Sequence, residues 1–181
     1  MNTAVKERPE RLVLDQAAID AASKSLDEGA VTPNYGPWRD DIVKLLNDAL
    51  ATELVCVMRY RRHYFTASGE ASPKIAEEFL VHANEELGHA DKIAERIVQL
   101  GGEPDFNPKS LLERSHADYD ASLDLQAMVR ANLIAERIAI ESYRQMISLI
   151  GDKDPTTRRM LEEILADEEE HADELKDWLK S

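Results

Sequence analysis

The sequence predicts an all-α fold: a four-helix bundle of two long hairpins running up-down-down-up, joined by a long crossover and preceded by an N-terminal extension. Three observations predict it. Apolar residues recur at helical spacing through four long segments. The breakers are sparse, with 7 Gly and 7 Pro, and they fall between those segments. The apolar residues are mostly Leu, Ala and Ile and aromatics are only 6%, a composition that favours helix over sheet.

The extension covers residues 1–37 and closes at Pro33, Gly36 and Pro37. Within it, residues 15–26 carry the spacing of a short helix through Ala18, Ile19, Ala22 and Leu26; a partly ordered arm is the alternative. Residues 38–181 make the bundle. Its first helix spans 38–67, with Ile42, Leu45, Leu46, Ala49, Leu50, Val57 and Tyr60 in register. Ser68-Gly69 is the turn, and Ser72-Pro73 starts the second helix as N-cap and N1. That helix ends at Gly101-Gly102. Residues 103–121 are polar and contain Pro104 and Pro108; they are too long for a tight hairpin and carry the chain along the bundle. The third helix spans 122–150. A short connector ends in Asp154 as N-cap and Pro155 at N1, and the fourth helix runs to 180. Short links make each pair antiparallel, and the long middle link gives a bundle with one crossover. Trp38 and Trp178 fall near the bundle ends, as packing or subunit contacts.

With 181 residues the chain is one domain, long enough for a real core. Lys plus Arg is 22 against 36 Asp plus Glu, a formal charge of −14, which speaks against direct DNA binding and for attraction of cations. The first eleven residues carry Lys6, Arg8 and Arg11 against Glu7 and Glu10, too little positive charge for a DNA-binding arm. The run Arg59, Arg61, Arg62 is expected to pair with acids of a neighbouring helix or subunit, with DNA contact as the disfavoured alternative. The single Cys, Cys56, allows no intrachain disulfide and is expected in the core. No signal peptide and no membrane span are recognisable, so a cytoplasmic setting is expected.

The two hairpins repeat each other. Glu53 is followed seven residues on by Tyr60, and Glu136 by Tyr143. The second helix reads Glu85-Glu86-Leu87-Gly88-His89-Ala90-Asp91; the fourth reads Asp167-Glu168-Glu169-Glu170-His171-Ala172-Asp173. Glu53 to Glu86 is 33 residues and Glu136 to Glu168 is 32. Positions i and i+3 lie on one helix face, so each Glu-x-x-His pair can grip one ion. One Glu from each of two helices with Glu-x-x-His from the other two is a carboxylate di-metal set. Four glutamates in one core are costly unless cations or protons balance them. Oxygen-rich donors with one nitrogen per ion suit iron, or manganese, more than tetrahedral zinc. In this reading Glu53 and Glu136 are terminal ligands, Glu86 and Glu168 bridge, and His89 and His171 each hold one ion. Glu85 and Asp167 either accept a hydrogen bond from the histidine of the opposite helix or are ordinary surface charge. Tyr60 and Tyr143 reach the site as hydrogen-bond or electron donors, or are simply packed. His63, His82 and His116 have no place in the motif; His82, four residues before Glu86, either approaches an inner iron path or, as the favoured reading, is solvated.

These residues resemble the bacterioferritins, within the ferritin-like superfamily, over about residues 40–178. The carrying motifs are residues 47–60 (NDALATELVCVMRY), 84–97 (NEELGHADKIAERI) and 164–175 (ILADEEEHADEL). The resemblance implies a ferroxidase that binds two Fe(II) per subunit, oxidises them with O2 or hydrogen peroxide, and passes ferric product to a mineral core inside a hollow homo-oligomer. It implies Glu53, Glu86, His89, Glu136, Glu168 and His171 as ligands, with Tyr60 beside them as a catalytic residue. Leu87 stands where those proteins carry a haem-ligating Met, so haem is not expected. The sequence ends ten residues after His171, without their short fifth helix, so a dodecamer similar to the DNA-protecting Dps cages is favoured over a 24-mer. The Cys pair found in some such relatives is absent. The rival functions are a manganese catalase or an O2-activating di-iron oxidase on the same ligands, a DNA-protecting Dps-type protein, and a purely structural bundle.

Overall fold

A computed structural model of the chain describes residues 12–179. The charges of residues 1–11 and the last residue of the fourth predicted helix, Lys180, lie outside that range. The described residues form six helices: α1 (Gln16–Ala22), α2 (Arg39–Thr66), α3 (Ser72–Gln99), α4 (Leu111–Arg114), α5 (Leu125–Ile150) and α6 (Pro155–Trp178). No strand occurs among the described residues. α2 packs along α3 and α5 along α6, as two antiparallel hairpins, and the crossover between them carries α4 against α2.

Side-chain caps start three of the helices. Asp15 accepts from the Ala18 amide and starts α1; Asp124 does the same with Ala127 at α5, three residues later than the spacing predicts. Asp154 caps α6 through the Thr157 amide, with Pro155 in the first turn. The predicted cap at Ser72 is a correction. Ala71 occupies the N-cap and makes no side-chain cap, while the Ser72 hydroxyl donates back to the Gly69 carbonyl at 2.7 Å. Gly69 has φ 113, a left-handed value that permits the tight α2–α3 turn.

The bundle interior has three layers along its axis. Ile42, Leu46, Leu50, Ile93, Ile97, Met146 and Leu161 fill one end. Cys56, Ile75, Phe79, Met128 and Leu175 fill the other. Between them, at mid-bundle, every long helix turns a buried acid inward: Glu53, Glu86, Glu136 and Glu168 are each no more than 1% exposed. Two apolar plugs thus seal a polar layer away from both bundle ends.

Candidate metal centre

Each hairpin contributes one inward Glu from its first helix and one Glu-x-x-His pair from its second. The structure brings all six sequence-predicted residues into a single buried cluster. The donor atoms fall into two groups, Glu53–Glu86–His89–Glu168 and Glu86–Glu136–Glu168–His171. Glu86 and Glu168 belong to both, so they lie between two positions rather than beside one. The His89 Nδ1 lies 3.5 Å from Glu53, 3.5 Å from Glu86 and 3.3 Å from Glu168. The His171 Nδ1 lies 3.7 Å from Glu168 and 4.0 Å from Glu136.

The imidazoles are oriented from outside. His89 turns Nε2 to Asp167 at 3.1 Å, and His171 turns Nε2 to Glu85 at 2.8 Å, each on the opposite helix. An N–H donated outward turns Nδ1 toward the cluster, where its lone pair becomes available once Nδ1 gives up its proton. The tyrosines also cross between hairpins. Tyr60 of α2 donates to Glu136 of α5, and Tyr143 of α5 donates to Glu53 of α2. Each therefore holds one carboxylate oxygen and leaves the other free.

Seven donor atoms of the six residues are buried without a hydrogen-bond partner: Glu53 Oε2, Glu86 Oε1, His89 Nδ1, Glu136 Oε2, both oxygens of Glu168 and His171 Nδ1. A native core leaves few such orphans, and here they share one place. Protons stand in for cations. Burial first, then the carboxylates of Glu168 and Glu53, push the Glu86 carboxyl well above its usual range; burial and Glu168 do the same to Glu136. Burial opposes charge on His89, but its contacts with Glu168 and Glu53 win and lift it to about 11. Burial likewise opposes the Glu168 charge, and the two imidazoles outweigh it and hold that carboxyl low. The donor set, two shared carboxylates with one carboxylate and one imidazole on each side, suits a pair of divalent transition-metal ions.

Sequence reasoning missed three buried side chains. His82, expected in solvent, is fully buried and stacks on His171 with ring centroids 4.1 Å apart. Its position four residues before Glu86 allows a shared face, but that spacing alone does not fix its burial. Among the described residues Arg59 pairs with no acid. It is fully buried, donating to Asn132 at 2.7 Å, to the Asp118 carbonyl at 3.1 Å and to the Cys56 sulfur at 3.3 Å. Arg61 and Arg62 donate to Asn84 and to the Ser122 carbonyl. His63 is buried between Asn132 and Asp120, whereas His116 lies beside Thr52 at 3.3 Å.

Comparison with known proteins agrees with this geometry. The ferritin-like domain family matches residues 43–181. A bacterioferritin of Mycobacterium leprae is 30% identical over 140 residues, 77% of this chain and 84% of that protein. The solved structure of the bacterioferritin-related protein of Bacteroides fragilis, described as a dodecameric thioferritin, superposes with TM-score 0.75 at 30% identity, covering 92% of this chain and 94% of that one. Dps of Thermosynechococcus elongatus has the same fold, with TM-score 0.75 at 18% identity over 77% of this chain and 90% of its own.

Proposed function

The chain belongs to the ferritin-like family, and from that premise we propose that it is a ferroxidase: Fe(II) is its substrate, taken up in pairs by the six-residue cluster and oxidised with O2 or hydrogen peroxide. The observation that carries this reading is the set of seven unpartnered buried donor atoms divided between two adjoining positions. A structural core has no use for them, since each unsatisfied buried polar group costs roughly 1–3 kcal/mol.

Two Fe(II) give up one electron each, which reduces O2 to hydrogen peroxide with two protons, or hydrogen peroxide to two waters. The chain's part is placement and charge. Glu86 and Glu168 span the two positions, Glu53 and His89 complete one, and Glu136 and His171 the other. The protons on Glu86, Glu136, His89 and His171 leave as the cations enter. Asp167 and Glu85 keep the Nδ1 lone pairs turned inward, and Tyr143 and Tyr60 hold the terminal carboxylates at one oxygen each. Tyr60 is the catalytic residue of this reading, acting through its hydrogen bond to Glu136. A homo-oligomer follows from the same reading. The dodecamer described for the Bacteroides fragilis relative supports twelve subunits, with ferric product held for storage or detoxification.

Anaerobic titration followed by admission of O2 tests this. Two Fe(II) per chain and a ferric absorbance that grows with them are expected; Glu86→Gln and Glu168→Gln abolish both. No Fe(II) binding, or binding without oxidation by either oxidant, would overturn the reading. Sedimentation gives the subunit number in the same preparation.

A further inference from the structure

The two halves of the six-residue cluster come from a repeat, and the repeat fails one layer out. In the register that pairs Glu53 with Glu136 and Glu86 with Glu168, Tyr60 corresponds to Tyr143. Behind the tyrosines the match ends: Arg59 corresponds to Ser142, His63 to Met146, Asn132 to Ala49 and His82 to Ile164. Tyr143, which holds Glu53, packs in the apolar cluster with Ala49, Met146 and Ile164. Tyr60, which holds Glu136, is backed by a buried cation and an imidazole instead.

Arg59 is the cation. It is fully buried, with its guanidinium carbon 5.6 Å from the centroid of the Tyr60 ring. Its donors end on Asn132, on the Asp118 carbonyl and on the Cys56 sulfur, none of them a carboxylate. A charge buried this way is poorly screened and acts at a distance. Burial and Glu168 raise the Glu136 carboxyl, whereas Tyr60 and Arg59 act the other way. His82 is the imidazole. The Tyr60 hydroxyl spends its hydrogen on Glu136, so its oxygen accepts from His82 Nδ1 at 3.2 Å. A hydroxyl that accepts is a stronger donor, so Glu136 is gripped harder than Glu53. Both neighbours thus weaken Glu136 as a ligand. The proton that Glu136 sheds also offsets only half the charge of an entering dication, and Arg59 opposes the rest.

Access differs in the same sense. A cavity of about 120 Å³ opens between α3 and α6 with His171, and not His89, in its wall.

We propose that Arg59 and His82 are positioning residues that act through Tyr60 to make the two metal positions unequal. The position of Glu53 and His89 fills first and retains its ion. The position of Glu136 and His171 is the weaker one, where ions exchange with the cavity. This deepens the ferroxidase reading and rests on its two-ion cluster.

Crystals of the full chain soaked in limiting Co(II) test it, with equilibrium dialysis in solution. The first anomalous peak is expected beside Glu53 and His89, and the position beside Glu136 and His171 fills only in excess Co(II). Repulsion between ions sharing Glu86 and Glu168 would also give two steps, but it would divide the first ion equally between the positions. Dialysis is expected to read two affinities roughly tenfold apart or more. Arg59→Gln and His82→Phe each narrow that gap, whereas Arg59→Lys, which keeps the charge, preserves it. A merely structural role would lower both affinities alike. The soak of the parent protein decides the order of filling even where Arg59→Gln does not fold. A first ion shared equally, or found beside Glu136 and His171, overturns the inference and leaves the ferroxidase reading standing. A gap unchanged in both Arg59→Gln and His82→Phe also overturns it. No peak at either position in excess Co(II) sinks the inference and the ferroxidase reading together.

Discussion

Two buried polar clusters in this bundle are finished in opposite ways. At one end, Arg96 of α3 meets the start of α6. Its guanidinium donates to both Asp154 oxygens at 3.0 Å, to the Thr157 hydroxyl at 2.8 Å and to Gln99 at 3.0 Å. Asp154 also accepts from the Tyr35 hydroxyl at 2.5 Å and the Thr157 amide at 2.9 Å. Each nitrogen of that guanidinium has an acceptor. At mid-bundle the six-residue cluster has more acceptors than donors, and they point at one another. Burial is similar; satisfaction is not. A closed network fixes one arrangement of helices, whereas an open one is complete only with something added. Burial of charge alone therefore does not mark a functional site; unmatched burial does.

The comparison breaks first at Asp154. Asp154→Ala strands the Arg96 guanidinium and removes the α6 cap, so a loss of about 3–5 kcal/mol is expected in urea denaturation, with or without metal. A loss below about 1 kcal/mol would mean the closed network is not structural. Glu86→Gln is expected to behave differently. The Glu86 carboxyl is already held neutral by burial and its acidic neighbours, so the metal-free variant stays within about 1 kcal/mol of the parent. What the variant loses is metal-dependent stability: Co(II) at a hundred times its Kd adds about 2.7 kcal/mol per site to the parent. A variant that still gains it fully would move the metal elsewhere.

pH separates the clusters by sign. Burial works against the Asp154 charge, but the Thr157, Tyr35 and Arg96 donors outweigh it and hold that carboxyl below 3.8. Its contribution is full above that value and is lost as pH falls through the lowered one. In the metal-free cluster, Glu86 and Glu136 are raised, so the native state keeps protons that the unfolded chain has shed. Their contribution declines as pH rises above 4.5. His89, raised from 6.5 to about 11, adds decline across that interval. Stripped protein should thus lose stability from pH 5 to 9 in urea titrations, and saturating Co(II) should reverse the slope, because the ions enter as those protons leave. A flat metal-free profile would remove the charge argument.

How much of this was legible in the sequence differs between the two clusters. The doubled Glu-helix and Glu-x-x-His pattern announces the mid-bundle cluster, because i, i+3 spacing fixes a shared face before any tertiary contact exists. Asp154 is legible as a cap from Pro155 beside it, but its pairing with Arg96, 58 positions away, is not. The boundaries of α2, α3 and α6 follow from periodicity and breakers; α4 does not, since a single turn has no period to detect. The crossed tyrosines and the burial of Arg59 and His82 depend on helix rotation within the bundle, which a one-dimensional pattern leaves free.

The two hairpins are nearly equivalent, and their tyrosines give the finest test of where they part. Tyr143 has one polar partner, Glu53; Tyr60 has two, Glu136 and His82. Tyr143→Phe removes one hydrogen bond, about 1 kcal/mol net. Tyr60→Phe removes its counterpart and also leaves the His82 Nδ1–H buried without an acceptor, a further cost of roughly 1–3 kcal/mol. Urea denaturation of the metal-free variants should rank Tyr60→Phe as the more damaging by that margin. Equal losses would mean that His82 does not donate to Tyr60, so its proton would sit on Nε2 instead.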